Sequence, residues 1–158
     1  MNYPAPTPLQ LAHALFVHVD LEPPKIIGPT KYGFRQVVPI AGGHFEGERL
    51  RGRVLPGGAD WNVARVDGVT EIQARYTLET DDGALIYIVN EGLTTASPEV
   101  IMKLVTGQAT RLDAWYFRSA PRFETAEPKY QWLQRSLFVG DLLPPDGLVA
   151  RFHVYEVR

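Results

Sequence analysis

The stretch Glu71–Leu93, EIQARYTLETDDGALIYIVNEGL, decides the fold. Its first half alternates strictly. Ile72, Ala74, Tyr76 and Leu78 share one face, while Gln73, Arg75, Thr77 and Glu79 share the other, the period-2 pattern of a strand with one covered side. Thr80-Asp81-Asp82-Gly83 then forms a turn, because Asp-Gly supplies the positive φ that a tight hairpin needs. The second half, Ala84–Leu93, is apolar on both faces through Val89 and predicts a central strand covered on both sides.

The same grammar repeats outward from this hairpin. Strand patterns occupy Leu11–Leu21, Arg35–Ile40, Arg49–Leu55, Asn62–Asp67, Arg111–Arg118, Ser136–Gly140 and Leu148–Val157. The clusters PPKIIGP, AGGHFEG, PGGAD and LLPPDG punctuate them. Many short strands with such spacing predict an antiparallel barrel or sandwich. Helix is confined to connections: SPEVIMKLVTG has Ser97 as N-cap, Pro98 in the first turn and Gly107 as stop, and AEPKYQWLQRS starts a second short piece at Pro128, with Trp132 and Leu133 inward. Residues 1–9 read as a flexible arm and residues 10–158 as one domain, a size that can bury a sizeable core.

Composition narrows the function classes. Hydrophobic residues make up 45% and charged residues 22%, ordinary globular usage, and the formal charge is −2. That balance gives no broad attraction for nucleic acid or an anionic membrane, and Arg49, Arg51 and Arg53 alternate with other residues as a strand face does. With no cysteine there are no disulfides, thiolate metal ligands or cysteine nucleophiles. The N-terminus lacks a basic leader, and no apolar run approaches the roughly 20 residues of a membrane helix, so a cytoplasmic location is expected. His13 and His18, five apart on a strand, are expected on opposite faces, and His44 and His153 stand elsewhere. No metal site and no cofactor are expected.

The candidate chemistry centres on VLPGGADWNV, Val54–Val63. One reading is structural: Gly57 and Gly58 take conformations closed to other residues, Asp60 binds turn amides and Trp61 caps the barrel end. The other places Trp61 on the floor of an apolar cavity with Asp60 facing inward as acid, base or hydrogen-bond acceptor. A carboxylate that loses hydration beside an indole has a raised pKa suited to proton transfer. Other polar groups lie on strands that a lumen could gather: Arg75, Tyr87, Glu91, Tyr116 and Arg118.

The chain resembles the family catalogued as domain of unknown function 3237, the UPF0311 group. The resemblance rests on GGHFEGERLRGRVLPGGADW, ARYTLETDDGALIYIVNEG and YFRSAPRFET…YQWLQRSLFVG, in order across most of Gly42–Gly140. It implies a compact antiparallel β-barrel with helix only in connections, and no settled reaction. Asp60, Trp61, Tyr76, Tyr87, Tyr116 and Arg118 fall on its recurring positions.

Three functions follow as expectations. The first is a lumen binding a small, partly apolar, carboxylate- or carbonyl-bearing molecule, with Trp61, Tyr87 and Tyr116 as walls and Arg75 and Arg118 orienting the ligand. The second is a cofactor-free lyase or isomerase in which Asp60 or Glu91 moves a proton. The third is a structural barrel acting through homodimers or higher homo-oligomers.

Overall fold

The computed structural model describes residues 3–95, 106, 108 and 116–158. Eleven strands run β1 Leu11–Leu21, β2 Lys25–Thr30, β3 Gly33–Glu46, β4 Arg51–Val54, β5 Ala59–Asp60, β6 Val63–Ala64, β7 Thr70–Thr80, β8 Leu85–Thr94, β9 Phe117–Glu124, β10 Phe138–Leu142 and β11 Val149–Val157. A 3₁₀ segment, Pro128–Gln134, joins β9 to β10. The helix expected over residues 97–107 lies outside the described residues, as does the first part of the strand expected from Arg111.

The strands close into an antiparallel barrel. Going round, the order is β1, β11, β10, β9, β8 and β7, then the broken edge β4, β5 and β6, then β3, which returns to β1 through pairs such as Val17 opposite Phe45. Counted with that broken edge as one position, the barrel has eight strands. Closure removes the open edges that a sandwich would leave, which settles the choice between the two all-β architectures.

The deciding hairpin forms as its pattern requires. β7 and β8 pair from Thr70 opposite Thr94 to Glu79 opposite Leu85, and Gly83 turns the chain at φ 85°. Ala74, Tyr76, Leu78, Ile86 and Ile88 are buried inside the barrel. The outer face of β8 is open rather than covered: Leu85, Tyr87 and Leu93 are 56%, 40% and 44% exposed. Helices cover both faces of a sheet in parallel α/β folds, whereas this barrel has no layer outside β8 among the described residues.

Two further differences come from strand pairing. Lys25–Thr30, which reads as Pro/Gly punctuation, is strand β2, paired with the first part of β3 (Lys25 opposite Val37). Its Pro29 is tolerated because β2 flanks β3 on one side only, and a proline on an edge interrupts no ladder. A register shift between His13 and Leu15 turns His13 to the outer face that also holds Phe16 and His18. His13 and His18 therefore share a face, against the simple alternation, and His13 Nε2 lies 3.0 Å from His153 Nδ1 while His18 stacks on His44 at 4.7 Å.

The core is densest at one end of the barrel, where Leu15, Phe45, Leu78, Ile86 and Leu133 are almost completely buried. The 3₁₀ segment seals this end. Leu133 enters the core, Trp132 packs on Phe138, and the Tyr130 hydroxyl donates to the Asp82 carboxylate in the β7–β8 turn.

Candidate functional site

The other end of the barrel holds a cavity of about 230 Å³. Its walls are mainly aliphatic and aromatic, including Val19, Ile40, Phe117, Leu142 and Phe152, and the β10–β11 connection contributes Pro145 and Gly147. Four side chains with polar groups line it: Asp60, Asn62, Tyr76 and Asn90.

Register explains why they meet. Asp60 on β5 lies opposite Ala74 on β7, and Ala74 lies opposite Asn90 on β8, so all three belong to one cross-strand row. Strand spacing puts the Asp60 and Asn90 backbones about 10 Å apart across Ala74, whose single methyl leaves the space between them open. Tyr76 is two residues along β7 on the same face.

The turn before Asp60 sets its approach. Gly57 has φ 103°, a conformation that favours glycine, whereas Gly58 is needed for clearance: a Cβ there would lie 2.5 Å from the Arg75 carbonyl oxygen and 2.5 Å from Tyr76 Cβ. Gly58 thus lets the β5 edge close onto β7 and delivers Asp60 to the lumen. The first glycine serves the turn and the second serves the site.

Asp60 is held on both oxygens. The Gln73 backbone N–H donates to Oδ1 at 2.9 Å and Asn62 Nδ2 donates to Oδ2 at 2.9 Å. Burial pushes its carboxyl above the ordinary value, while the Asn62 and Gln73 hydrogen bonds and the charge of Arg35 pull it back. Arg35 directs its guanidinium to the Trp61 carbonyl, 2.6 Å away. The Tyr76 hydroxyl is buried, and its desolvation raises the phenol well above its ordinary value, so it stays protonated. Tyr76 Oη and Asn90 Oδ1 are buried with no hydrogen-bond partner among the described residues.

Most of the expected lining lies outside the lumen. Trp61 follows Asp60 on an extended segment and points the other way, 37% exposed. Arg75 is exposed on the outer face of β7, and Tyr87 and Glu91 are on the outer face of β8, where Arg122 pairs with Glu91 at 3.2 Å. Tyr116 and Arg118 are exposed on either side of lumenal Phe117, and Arg118 donates to Asp141 at 2.7 Å. The physical reason is shared: alternation gives the lumenal face to the neighbours of these side chains, such as Asp60 and Asn62 around Trp61, Ala74 and Tyr76 around Arg75, and Asn90 beside Glu91. Asn62 and Asn90 were missed, and Tyr76 stood only as a recurring position. The available signal was a polar side chain on an otherwise apolar face, as Asn90 is with Ile86 and Ile88.

Among the described residues, no group of three or more histidine, cysteine, aspartate or glutamate side chains is placed to hold a metal ion. Also among them, no helix is long and apolar enough to cross a membrane.

Fold and cavity together define a closed antiparallel barrel with one lumenal end packed and the other hollow. The chain belongs to the family described as protein of unknown function (DUF3237), whose model matches residues 9–157. A UPF0311 protein of Rhodopseudomonas palustris (strain TIE-1) is 44% identical over 113 residues, 72% of this chain and 74% of that protein. A UPF0311 protein of Clostridium acetobutylicum is 41% identical over 141 residues, 87% and 89% of the two chains.

Solved structures agree on the architecture. A conserved protein of unknown function from Rhodopseudomonas palustris superposes with TM-score 0.88 at 35% identity, covering 98% of this chain and all of that one. A β-barrel-like protein from Acinetobacter baumannii gives 0.81 at 37% identity, covering 98% and 99%. An enzyme from Penicillium herquei shares the fold, with TM-score 0.73 and 21% identity over 99% of this chain and 100% of that one.

Proposed function

We propose that this chain binds a small, largely apolar molecule with one polar end in the lumenal cavity. One observation carries the reading: Tyr76 and Asn90 line an otherwise mainly apolar cavity, and Tyr76 Oη and Asn90 Oδ1 are buried without partners among the described residues. An unsatisfied buried polar group costs about 1–3 kcal/mol, and two of them on residues that line one cavity are what a ligand's polar end would relieve after a small side-chain adjustment. The volume, about 230 Å³, is below the roughly 300–1,000 Å³ of drug-sized sites and suits a single ring with a short substituent.

The test is a backbone NMR titration with monocyclic apolar probes. Shifts are expected at Ala74, Tyr76, Asn90 and Phe117, and Ala74→Leu, which fills the space between Asp60 and Asn90, should remove them. Shifts confined to outer-face residues such as Tyr87 and Tyr116 would sink the reading.

A second reading, cofactor-free lyase or isomerase chemistry, is favoured by Asp60 itself. Its burial raises the carboxyl pKa, and Tyr76, which lines the same cavity, keeps a neutral hydroxyl as a donor for a developing oxyanion. Carbon-detected NMR titration of the Asp60 carboxyl decides it: an ordinary aspartate value removes the proton-shuttle role. Asp60→Asn should abolish turnover of any substrate found while leaving its binding measurable.

A further inference from the structure

The lumen has a chemical sign as well as a size. Among the described residues lining the cavity there is no lysine, arginine or histidine. Its one ionisable carboxylate is Asp60, and the guanidinium that acts on it, Arg35, donates to a backbone carbonyl. The cavity's acceptors include a carboxylate, and no cationic side chain among the described lining residues balances it. Asn90 Oδ1 has no donor among the described residues, and the Asp60 carboxylate, which offers about four lone-pair sites, accepts hydrogen bonds from Asn62 and the Gln73 backbone. The donors beside them, the Tyr76 hydroxyl and the amides of Asn62 and Asn90, are all neutral. A ligand that completes this set must bring donors of its own. A carboxylate would instead face Asp60 in a poorly hydrated space, where like charges repel most strongly.

Placement points the same way. Asp60, Tyr76 and Asn90 surround Ala74, whose methyl is the smallest side chain in their row, so the polar end of a ligand fits over Ala74. The rest of the cavity, with Val19, Ile40, Leu142 and Phe152, offers only apolar contact to the body.

We propose that the cavity recognises a monocyclic, largely apolar molecule through a polar end that donates hydrogen bonds, a hydroxyl or an ammonium, and rejects the same body ending in a carboxylate. This rests on the binding role proposed above, and it replaces the carboxylate-bearing ligand that arginines inside the lumen would have favoured.

The experiment compares toluene, benzyl alcohol, benzylamine and benzoate by NMR titration of the wild-type chain at pH 7. Benzyl alcohol or benzylamine should bind about fivefold or more tighter than toluene, the worth of roughly one net hydrogen bond, and benzoate should be the weakest. Asp60→Asn then separates the two donor types. Selective loss of benzylamine identifies an ammonium site, and retention of benzyl alcohol with loss on Asn90→Leu identifies a hydroxyl site; either outcome supports the proposal. Benzoate binding as tightly as the alcohol and amine overturns it, as does toluene matching both. In those cases the lumen still binds a ligand, and only its selectivity was misjudged. If no probe binds, toluene included, the binding role falls together with this inference. The wild-type series decides by itself, so a variant that fails to fold removes only the division between hydroxyl and ammonium.

Discussion

The two ends of this barrel are built from the same strands and have opposite interiors. β7 contributes Leu78 to the packed end and Ala74 to the hollow one; β8 contributes Ile86 and Ile88 to the first and Asn90 to the second. At the packed end, large aliphatic side chains meet and the 3₁₀ segment closes over them with Leu133 and Tyr130. At the hollow end, a small residue sits between two polar ones. Replacement of a few inward side chains by smaller or polar ones therefore suffices to convert core into cavity, with no change of strand register. Stability is concentrated where packing is complete, and ligand capacity where it is not.

The sharpest way to break this comparison is Leu78→Ala. Leu78 is fully buried at the packed end, and its truncation should cost about 2–5 kcal/mol in urea unfolding. If Leu78→Ala were as mild as a surface substitution, the packed end would not be the stabilising half.

Asp60→Asn should act less, and with a definite sign. The unfolded carboxyl ionises near 3.8 and the folded one higher, so the folded state holds its proton more tightly. Wild-type stability should fall as pH rises from 3.8 through the folded value and level off above it; Asp60→Asn should flatten that decline. Parallel pH profiles of the two proteins, measured by thermal unfolding, would show that Asp60 is not desolvated.

Tyr76→Phe is a smaller test. Removing a buried hydroxyl that lacks a partner among the described residues should leave the melting temperature unchanged or raise it, since no hydrogen bond is lost and a desolvated group is relieved. A loss comparable to Leu78→Ala would mean that the hydroxyl is already satisfied and unavailable to a ligand.

Lys129→Met probes the seal and should be the mildest. Hydrogen bonds from Lys129 first, then from Thr80 and Tyr130, hold the Asp82 carboxyl below its ordinary value. Stability from this cluster is present above pH 3.8 and is lost as pH falls below it. The wild-type advantage over Lys129→Met should be small at neutral pH, because the pair is exposed, and should shrink in acid. An advantage that grew in acid would reverse the assigned role.

Several features were legible in particular residues. The alternation in Glu71–Thr80 and the Asp82-Gly83 turn place the central hairpin within a residue of its observed ends, because both signals are local. Pro128 likewise marks the start of the 3₁₀ segment. Asp60 was legible as a candidate because a carboxylate after a Gly-Gly turn is conspicuous. Its companions were not: Asn62 and Asn90 are ordinary polar residues until register puts them beside Ala74. The bulge at His13 depends on pairing with distant β11, and the edge position of β2 on which strands close the barrel beside β3, so neither leaves a local mark.

By itself, the sequence determined the period of each strand, the turns between them and the division of every strand into two faces, because φ preferences and side-chain alternation act over a few residues. Tertiary structure alone decided which face became the lumen and which residues met there. Arg75, Tyr87, Glu91, Tyr116 and Arg118 went outward and Asp60, Tyr76 and Asn90 inward because pairing around the closed barrel assigns each face, even where a strand's outward face is the more apolar one, as with Leu85, Tyr87 and Leu93 of β8. Convergence of residues 60, 76 and 90 is a matter of interstrand register, set jointly by all the strands and written in no single one.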